Sequence, residues 1–429
     1  MPHDVTVDLA RLADQEGVDP SVDPYALYTR LREAGPVHRV RLPVTKDECW
    51  LVVGHREARA ALVDERLSND VRLAADPRDD GSLALGRNML QVDAVEHGRL
   101  RRLVAGVFTA RRVRALRPRV QQLANELVTA FLDGGSADEP VDLVAALALP
   151  LPMAVICELM GVADEDREDF HRWSDAIVKP PTPDAAGAAL HSLMRYFATL
   201  IENKRRHGGD DLLSALVRAN DTGDHTGDDG SEGGAAPAPR LSDDDLLGMV
   251  FLLFVAGHET SANLIAAGVH ALLRHPRQLA ELRADWSLLD GAVEEMLRYC
   301  APVQATAFRF TSEPVTVAGT ELPAGAPVLV SLGAVSRDPE LFPAPDAFDI
   351  RRPPSEVRTH LAFGHGAHYC IGAPLARLEA SLAIRTLLER CPRLRLAPEG
   401  GGAGGIVEEV VWRPNAMLRG LDRLPVLRG

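Results

Sequence analysis

A chain of 429 residues, 46% of them hydrophobic, is long enough to bury a large core, and its formal charge of −14 excludes a general nucleic-acid binder, whose phosphate contacts need a basic face. Aromatic residues make up only 5%, and the basic residues are 44 arginines against three lysines, which reads as codon bias rather than a binding feature. Five widely spaced cysteines (Cys49, Cys157, Cys300, Cys370, Cys391) form neither a CxxC pair nor a disulfide framework, which points to a reducing cytoplasm.

Residues 1–21 are polar, lack the apolar core of a signal peptide or anchor, and read as a flexible N-terminus. Residues 22–429 read as a single domain. Asp23-Pro24-Tyr25 opens a short helix through Leu31. Pro36–Val40 and Trp50–Val53 then read as a β-hairpin, and a helix follows over Glu57–Val63. Residues 74–90, with Asp76, Asp79, Asp80, Gly81 and Gly86, are irregular. Between Gly98 and Arg119 stand eight arginines and no acid. Such runs are usually solvated helix faces; the competing reading is a positive surface that steers an acidic partner. His97 and Arg101 lie four apart and share one side of a helix. Residues 120–219 are helical, most clearly over Leu147–Met160 and Leu190–Lys204. Val178–Pro183, with three prolines, breaks two helices as a candidate lid. The acid- and glycine-rich stretch 220–240 reads as a disordered loop inserted between helices.

Ser242-Asp243-Asp244-Asp245 is a strong helix start. That helix can run to Arg274-His275, where Pro276 ends it, so about 33 residues span roughly 50 Å. Leu246–Gly257 is apolar or glycine throughout, which means burial on all sides, and it reads as too short and too soon broken for a membrane span. The break is Ala256-Gly257-His258-Glu259-Thr260. An unpaired buried polar group costs about 1–3 kcal/mol. The acid and hydroxyl therefore either do chemistry or sit in a kink, with Thr260 bonded back to its own helix. A zinc-protease His-Glu-x-x-His is excluded, because position 262 is alanine.

Leu288–Tyr299 is a further helix, stopped by Pro302, with Glu295 and Arg298 adjacent on one face. Strand-like segments follow at Ala307–Thr311, Val315–Ala318 and Val328–Leu332, and Arg309 points away from the side of its apolar neighbours. His360, alone, reads as a packing residue. The tail carries a flexible Gly400–Gly405 insertion, then a strand pair at Val407–Trp412 and Leu424–Val426 around the turn Asn415–Leu418.

One stretch organises the rest: Phe363-Gly364-His365-Gly366-Ala367-His368-Tyr369-Cys370-Ile371-Gly372, ahead of a helix that starts near Ala373-Pro374 and continues through Leu375, Leu378 and Leu382. A cysteine at a helix N-terminus is favoured as thiolate. Glycines let the backbone approach something large and flat, and a soft sulfur suits a metal. Alone, such a cysteine is more often a packed core thiol. Gly364-His365-Gly366 is no dinucleotide fingerprint, since Tyr369 stands where a third glycine is needed.

Phe363, Gly366, His368, Cys370 and Gly372 resemble the haem-thiolate signature of the cytochrome P450 family, and the resemblance runs through residues 22–429 with five motifs in order. It implies a mainly α, triangular fold with a smaller β region, built around a long central helix, in a cytoplasmic monomer that binds neither membrane nor nucleic acid. It implies haem b with its iron on Cys370, lined by Phe363, Gly366 and Gly257, with His97, Arg101, Arg309 and His368 as propionate contacts. Gly257 would make room for O2, and Glu259 and Thr260 would relay protons, because cleaving the O–O bond releases water. Glu295 and Arg298 would form a buried structural pair joined by Arg351 or Arg352. Residues 74–90 would lie over the distal haem face, and Leu90, Gln91, Ala256, Val303, Gln304 and Met417 would line the substrate pocket.

No flavin or dinucleotide motif is present, so the resemblance implies electrons from NAD(P)H through a ferredoxin reductase and a ferredoxin, docking on the arginine-rich flank. Ile156–Val162 and Glu294–Tyr299 resemble actinobacterial members that hydroxylate or epoxidise macrolides and other polyketides. Some of those meet an amino sugar with acids over the haem; here Gln91 is neutral, although Asp79 and Asp80 are nearby. Steroid, terpene or peptide substrates are alternatives. A non-catalytic haem sensor would not need Glu259–Thr260, and a peroxide-driven enzyme would tend to replace that pair.

Overall fold

The computed structural model describes residues 6–75, 88–178, 182–222, 240–398, 410–413, 415 and 417–429. Its helices in chain order are α1 (Leu9–Glu16), α2 (Tyr25–Ala34), α3 (His55–Val63), α4 (Ala94–Val107), α5 (Ala110–Asp133), α6 (Pro150–Met160), α7 (Arg167–Val178), α8 (Pro183–His207) and α9 (Leu212–Thr222), then α10 (Asp243–Arg274), α11 (Pro276–Ala284), α12 (Leu289–Cys300), α13 (Leu332–Val335), α14 (Pro354–Val357) and α15 (Ala373–Arg390). The strands are shorter: β1 (Val7–Asp8), β2 (Val37–Arg41), β3 (Glu48–Val52), β4 (Leu67–Ser68), β5 (Val141–Asp142), β6 (Arg309–Thr311), β7 (Val315–Val317), β8 (Thr320–Leu322), β9 (Pro327–Val330), β10 (Arg395–Leu396), β11 (Val411–Trp412), β12 (Leu421–Arg423) and β13 (Pro425–Leu427).

Contacts gather the chain into two compact units. The first takes Met1–Pro77, Gln121–Leu151 and Thr260–Gly429; the second takes Arg78–Val120 and Pro152–Glu259. Helices α5, α6 and α10 each contribute residues to both.

The first unit holds a six-stranded sheet in the order β1-β2-β3-β9-β6-β4. The expected hairpin is there, with Val37 opposite Val52 and Val40 opposite Cys49. Period-2 alternation makes both sheet faces apolar. Val37, Val52, Val328 and Val330 pack under Ala58, Ala61 and Leu62 of α3, while Val40, Leu51 and Leu329 pack with Leu9 and Leu31.

Leu9 explains why residues 1–21 are not wholly flexible, as composition suggested. Asp8 accepts hydrogen bonds from the Ala10 and Arg11 N–H groups at 3.0 and 3.1 Å, a cap worth about 1 kcal/mol. Gly17, at φ 65°, ends α1. In the tail, β11 pairs with β12, so Leu421–Arg423 is the partner of Val411–Trp412, not Leu424–Val426. β13 pairs instead with β10 and β5.

α10 starts where the caps predict, with Ser242 Oγ accepting from Asp245 N–H at 3.0 Å, and runs for 32 residues. The whole helix is long and apolar enough to cross a membrane by length and hydropathy alone, although its unbroken apolar run, Leu246–Gly257, is shorter than a span. Within the protein, 67% of its most apolar window is buried. In the second unit Phe254 of α10 packs edge-on to Phe170 and Phe197, with ring centres 5.2 and 5.5 Å away. Asn220–Thr222, expected to open the acidic loop, belong to α9; 223–239 and the prolines Pro180 and Pro181 lie outside the described residues, as do Asp76, Asp79, Asp80, Gly81, Gly86 and 400–405.

The arginine run divides on this frame. Arg99 pairs with Glu96 and Asp245 at 3.0 and 3.4 Å, Arg119 pairs with Glu158, and Arg112 donates to the Asp210 carbonyl at 2.6 Å. Arg102, Arg114 and Arg117 are exposed.

Candidate active site

The loop before α15 is shaped by its own backbone. Gly364 and Gly366 take φ of 73° and 75°, left-handed values that a side chain resists. A Cβ on Gly366 would also come within 2.8 Å of Val63 Cγ1 and 3.2 Å of the Leu62 carbonyl, so α3 leaves room only for glycine. The Cys370 N–H donates to the Phe363 carbonyl at 2.9 Å and Tyr369 N–H to Gly366 at 3.1 Å, with one 3-10 turn at Gly366–His368 between them. α15 follows with Pro374 in its first turn.

Cys370 is exposed, and the other four cysteines are buried. Burial pushes the thiols of Cys49 and Cys157 up to about 12 and that of Cys300 up to about 11, which leaves them protonated. Cys370 is therefore the thiol placed for chemistry. Among the described residues no cluster of three or more His, Cys, Asp or Glu side chains could hold a metal. A metal on Cys370 must take its remaining ligands from a cofactor, and one soft sulfur beside glycine backbone fits an iron already held in a flat macrocycle.

Behind the loop, Glu295 and Arg298 are fully buried and joined at 2.7 and 2.8 Å. Arg352, not Arg351, is the third member, at 3.1 Å from Glu295; Arg351 pairs with Glu281 at the surface. Arg298 also donates to the carbonyls of Ser336, Pro345 and Ala347 at 2.7–3.0 Å. This ties α12 to the chain ahead of the cysteine loop. Arg309, 5% exposed on β6, donates to the carbonyls of Ala61 and Leu67, both at 3.3 Å. His368 is half-buried in the 3-10 turn. His360 is more than packing: its Nε2 lies 3.0 Å from the Glu294 carboxylate.

In the second unit, α4 places His97, buried, and Arg101, half-buried, one turn apart. The middle of α10 is unusual for a buried helix. Ala256 is exposed and Gly257 half-exposed, and Thr260, one turn beyond Ala256 on the same helix, is half-exposed. Glu259 is buried, and so is His258, which neighbours it. His258 Nδ1 lies 2.8 Å from the Phe254 carbonyl, so that nitrogen carries the proton and Nε2 accepts from Ser174 Oγ at 2.7 Å. Burial pulls its pKa down, which keeps the ring neutral. A Cβ on Gly257 would stand 2.9 Å from Ile156 Cδ1 of α6, so the packing of these two helices requires glycine there.

The expected pocket residues separate. Leu90 and Met417 are exposed, at 40% and 41%. Gln91 Oε1 accepts from the Asn88 amide at 2.9 Å, and Val303 bridges to Leu418 across a short antiparallel contact. Gln304 does not fit a pocket role. It is 4% exposed, and its amide is used inside the protein, accepting from Tyr28 Oη at 3.1 Å and donating to Ala301 at 3.2 Å.

One group escaped the sequence reading. Glu379 of α15 is 1% exposed, a carboxyl sealed in the core with the Ser261 side chain beside it. Burial raises its pKa to about 8, offset only in part by Ser261 nearby, so it carries a proton at neutral pH. The signal was present: Glu379 falls on the same helix face as Leu375, Leu382 and Ala383.

The family model described as Cytochrome P450 matches residues 24–400. The cytochrome P450 monooxygenase PikC of Streptomyces venezuelae is 52% identical over 96% of this chain and 92% of its own length. The 6-deoxyerythronolide B hydroxylase of Saccharopolyspora erythraea is 41% identical over 97% and 99%. Among solved structures, the tirandamycin C-bound P450 monooxygenase TamI superposes with a TM-score of 0.81 at 40% identity, covering 96% of this chain and 99% of that one. With a mainly α fold and an exposed cysteine presented by a glycine-shaped loop, the chain belongs to the cytochrome P450 family and is a haem-thiolate monooxygenase.

Proposed function

We propose that this monooxygenase hydroxylates or epoxidises a macrolide or other polyketide, with Cys370 as the iron ligand and Glu259 and Thr260 as the proton path. Support for the substrate class comes from the relatives, whose names include a 6-deoxyerythronolide B hydroxylase and a tirandamycin C complex. The bound haem supplies the activation of O2 that amino-acid side chains lack.

Cys370 contributes a thiolate, favoured at the N-terminus of α15. His97, Arg101, Arg309 and His368 offer donors and positive charge for two propionates, and Phe363 and Gly366 wall the loop side. Ala256, small and exposed, leaves room for substrate, with Leu90, Gln91, Val303 and Met417 as further wall residues. Thr260 passes protons from its hydroxyl, and Glu259 resupplies them. The observation that carries the oxidative reading is this acid–hydroxyl pair, with Thr260 one turn from Ala256 on the accessible stripe of an otherwise buried helix. A haem sensor has no use for it.

Electrons reach bacterial members of the family through redox partners. We assign this role to an acidic ferredoxin, reduced from NAD(P)H by its reductase in the cytoplasm. Arg102, Arg114 and Arg117 are its landing site, since they are exposed while their neighbours are paired. The test is turnover of a polyketide panel with surrogate ferredoxin and reductase. Thr260→Ala is expected to consume reducing equivalents while losing most product; full coupling in that variant would remove Thr260 from the proton path.

A further inference from the structure

Glu294 stands one residue before Glu295 yet serves a separate set of partners. Its side chain is 6% exposed. One carboxylate oxygen accepts from Arg377 Nε at 2.6 Å; the other accepts from Arg377 Nη2 at 3.1 Å and from His360 Nε2 at 3.0 Å. His360 Nδ1 accepts from the Ala362 N–H at 3.2 Å, which leaves Nε2 as the nitrogen that donates to Glu294. Arg377 brings a permanent cation to this buried carboxylate, held by two of its nitrogens. Burial works to raise the pKa of Glu294, and the bonds from His360 and Arg377 outweigh it, bringing it down to about 2.

Arg377 reaches the cysteine loop at both ends. Its guanidinium lies 4.5 Å from the centre of the Phe363 ring, and it hydrogen-bonds the side chain of Tyr369. Phe363 provides the carbonyl that takes the Cys370 N–H, and Tyr369 directly precedes Cys370. His360 starts the same segment, with its ring centre 6.2 Å from that of Phe363. A guanidinium is planar, so one group can fork onto a carboxylate and stack on a ring together.

We propose that Glu294, acting through Arg377, is a positioning residue for Cys370: the buried carboxylate aims the guanidinium so that it clamps Phe363 and Tyr369 and holds the sulfur on the iron. This rests on Cys370 being the iron ligand. Without the carboxylate, Arg377, whose side chain is 31% exposed, turns to solvent and releases both ends of the loop. The pair differs in kind from Glu295–Arg298–Arg352, whose partners are the carbonyls of the preceding chain rather than the loop itself.

The test uses the haem-loaded protein and its variants Glu294→Gln, Arg377→Lys and, as a surface control, Glu281→Gln, which removes only the exposed pair with Arg351. The readouts are the rate at which the reduced CO complex loses its thiolate-type Soret band, the iron reduction potential, and far-UV helicity. Glu294→Gln and Arg377→Lys should keep haem and helicity and lose the band roughly tenfold faster or more, since one partner of a buried pair is gone. Their potential should move together, and the control should match wild type. Wild-type band lifetime and potential in both variants would overturn the clamp. Loss of band and helicity at one denaturant midpoint would overturn it too, by assigning Glu294 to global stability. A wild-type protein with no thiolate-type band would instead sink the assignment of Cys370, and the clamp with it.

Discussion

Cys370 and Glu379 stand nine residues apart and meet opposite conditions. Cys370 is exposed at the positive end of α15, and Glu379 is sealed in the core face of the same helix. The linkage of Glu379 to stability follows from its protons. The native carboxyl keeps its proton up to about pH 8, while the unfolded one releases it near 4.5. Between those values the native state binds more protons than the unfolded chain, so stability falls as pH rises through the window. Glu379→Gln removes that slope. In denaturant melts the balance should shift toward the variant by up to about 1.4 kcal/mol per pH unit across the window. Parallel curves for the two proteins would contradict a buried, protonated Glu379. Cys370 announced itself through the glycines beside it, whereas His360 and Glu294 are 66 positions apart and become partners only when α12 and the loop segment pack. Gln304 misled for the converse reason: nothing local shows that Tyr28 and Ala301 take up its amide.

At the scale of elements, legibility followed cap strength and length. α10 was readable end to end, because Ser242 caps it, three acids follow in its first turn and Pro276 stops it. Ser242→Ala should destabilise the protein by about 1 kcal/mol, the usual loss for a serine cap, measured as a lower denaturant midpoint with an unchanged slope. The two-residue strands β11 and β12 were not assignable, since so short a run has no period to read and its pairing is decided by the chain around it. Nor could sequence sort the arginines, which look alike until Glu96, Asp245, Glu158 and the Asp210 carbonyl take up three of them. The exposed ones carry a prediction. Reversing Arg114 and Arg117 to glutamate should slow the electron-transfer encounter with an acidic ferredoxin by roughly tenfold or more at low salt, with the gap closing as ionic strength rises. A salt-independent effect in stopped-flow reduction would place the partner elsewhere.

For the whole molecule, what was legible was the order of motifs rather than their geometry. The break in the apolar run at Ala256–Thr260, the Glu295–Arg298 pair and the cysteine loop appear in sequence in the right succession, and the family model includes residues of both compact units. Which segments join each unit was not readable, because that depends on contacts between residues far apart in the chain. The oxidative roles argued above depend on one bond, between Cys370 sulfur and iron. The reduced, CO-bound absorption spectrum tests it, taken on the haem-loaded wild type and on Cys370→Ser side by side. A Soret band at the thiolate position in the wild type, lost in the variant, is the predicted result. A wild type without that band, or a variant that retains it, would contradict the assignment.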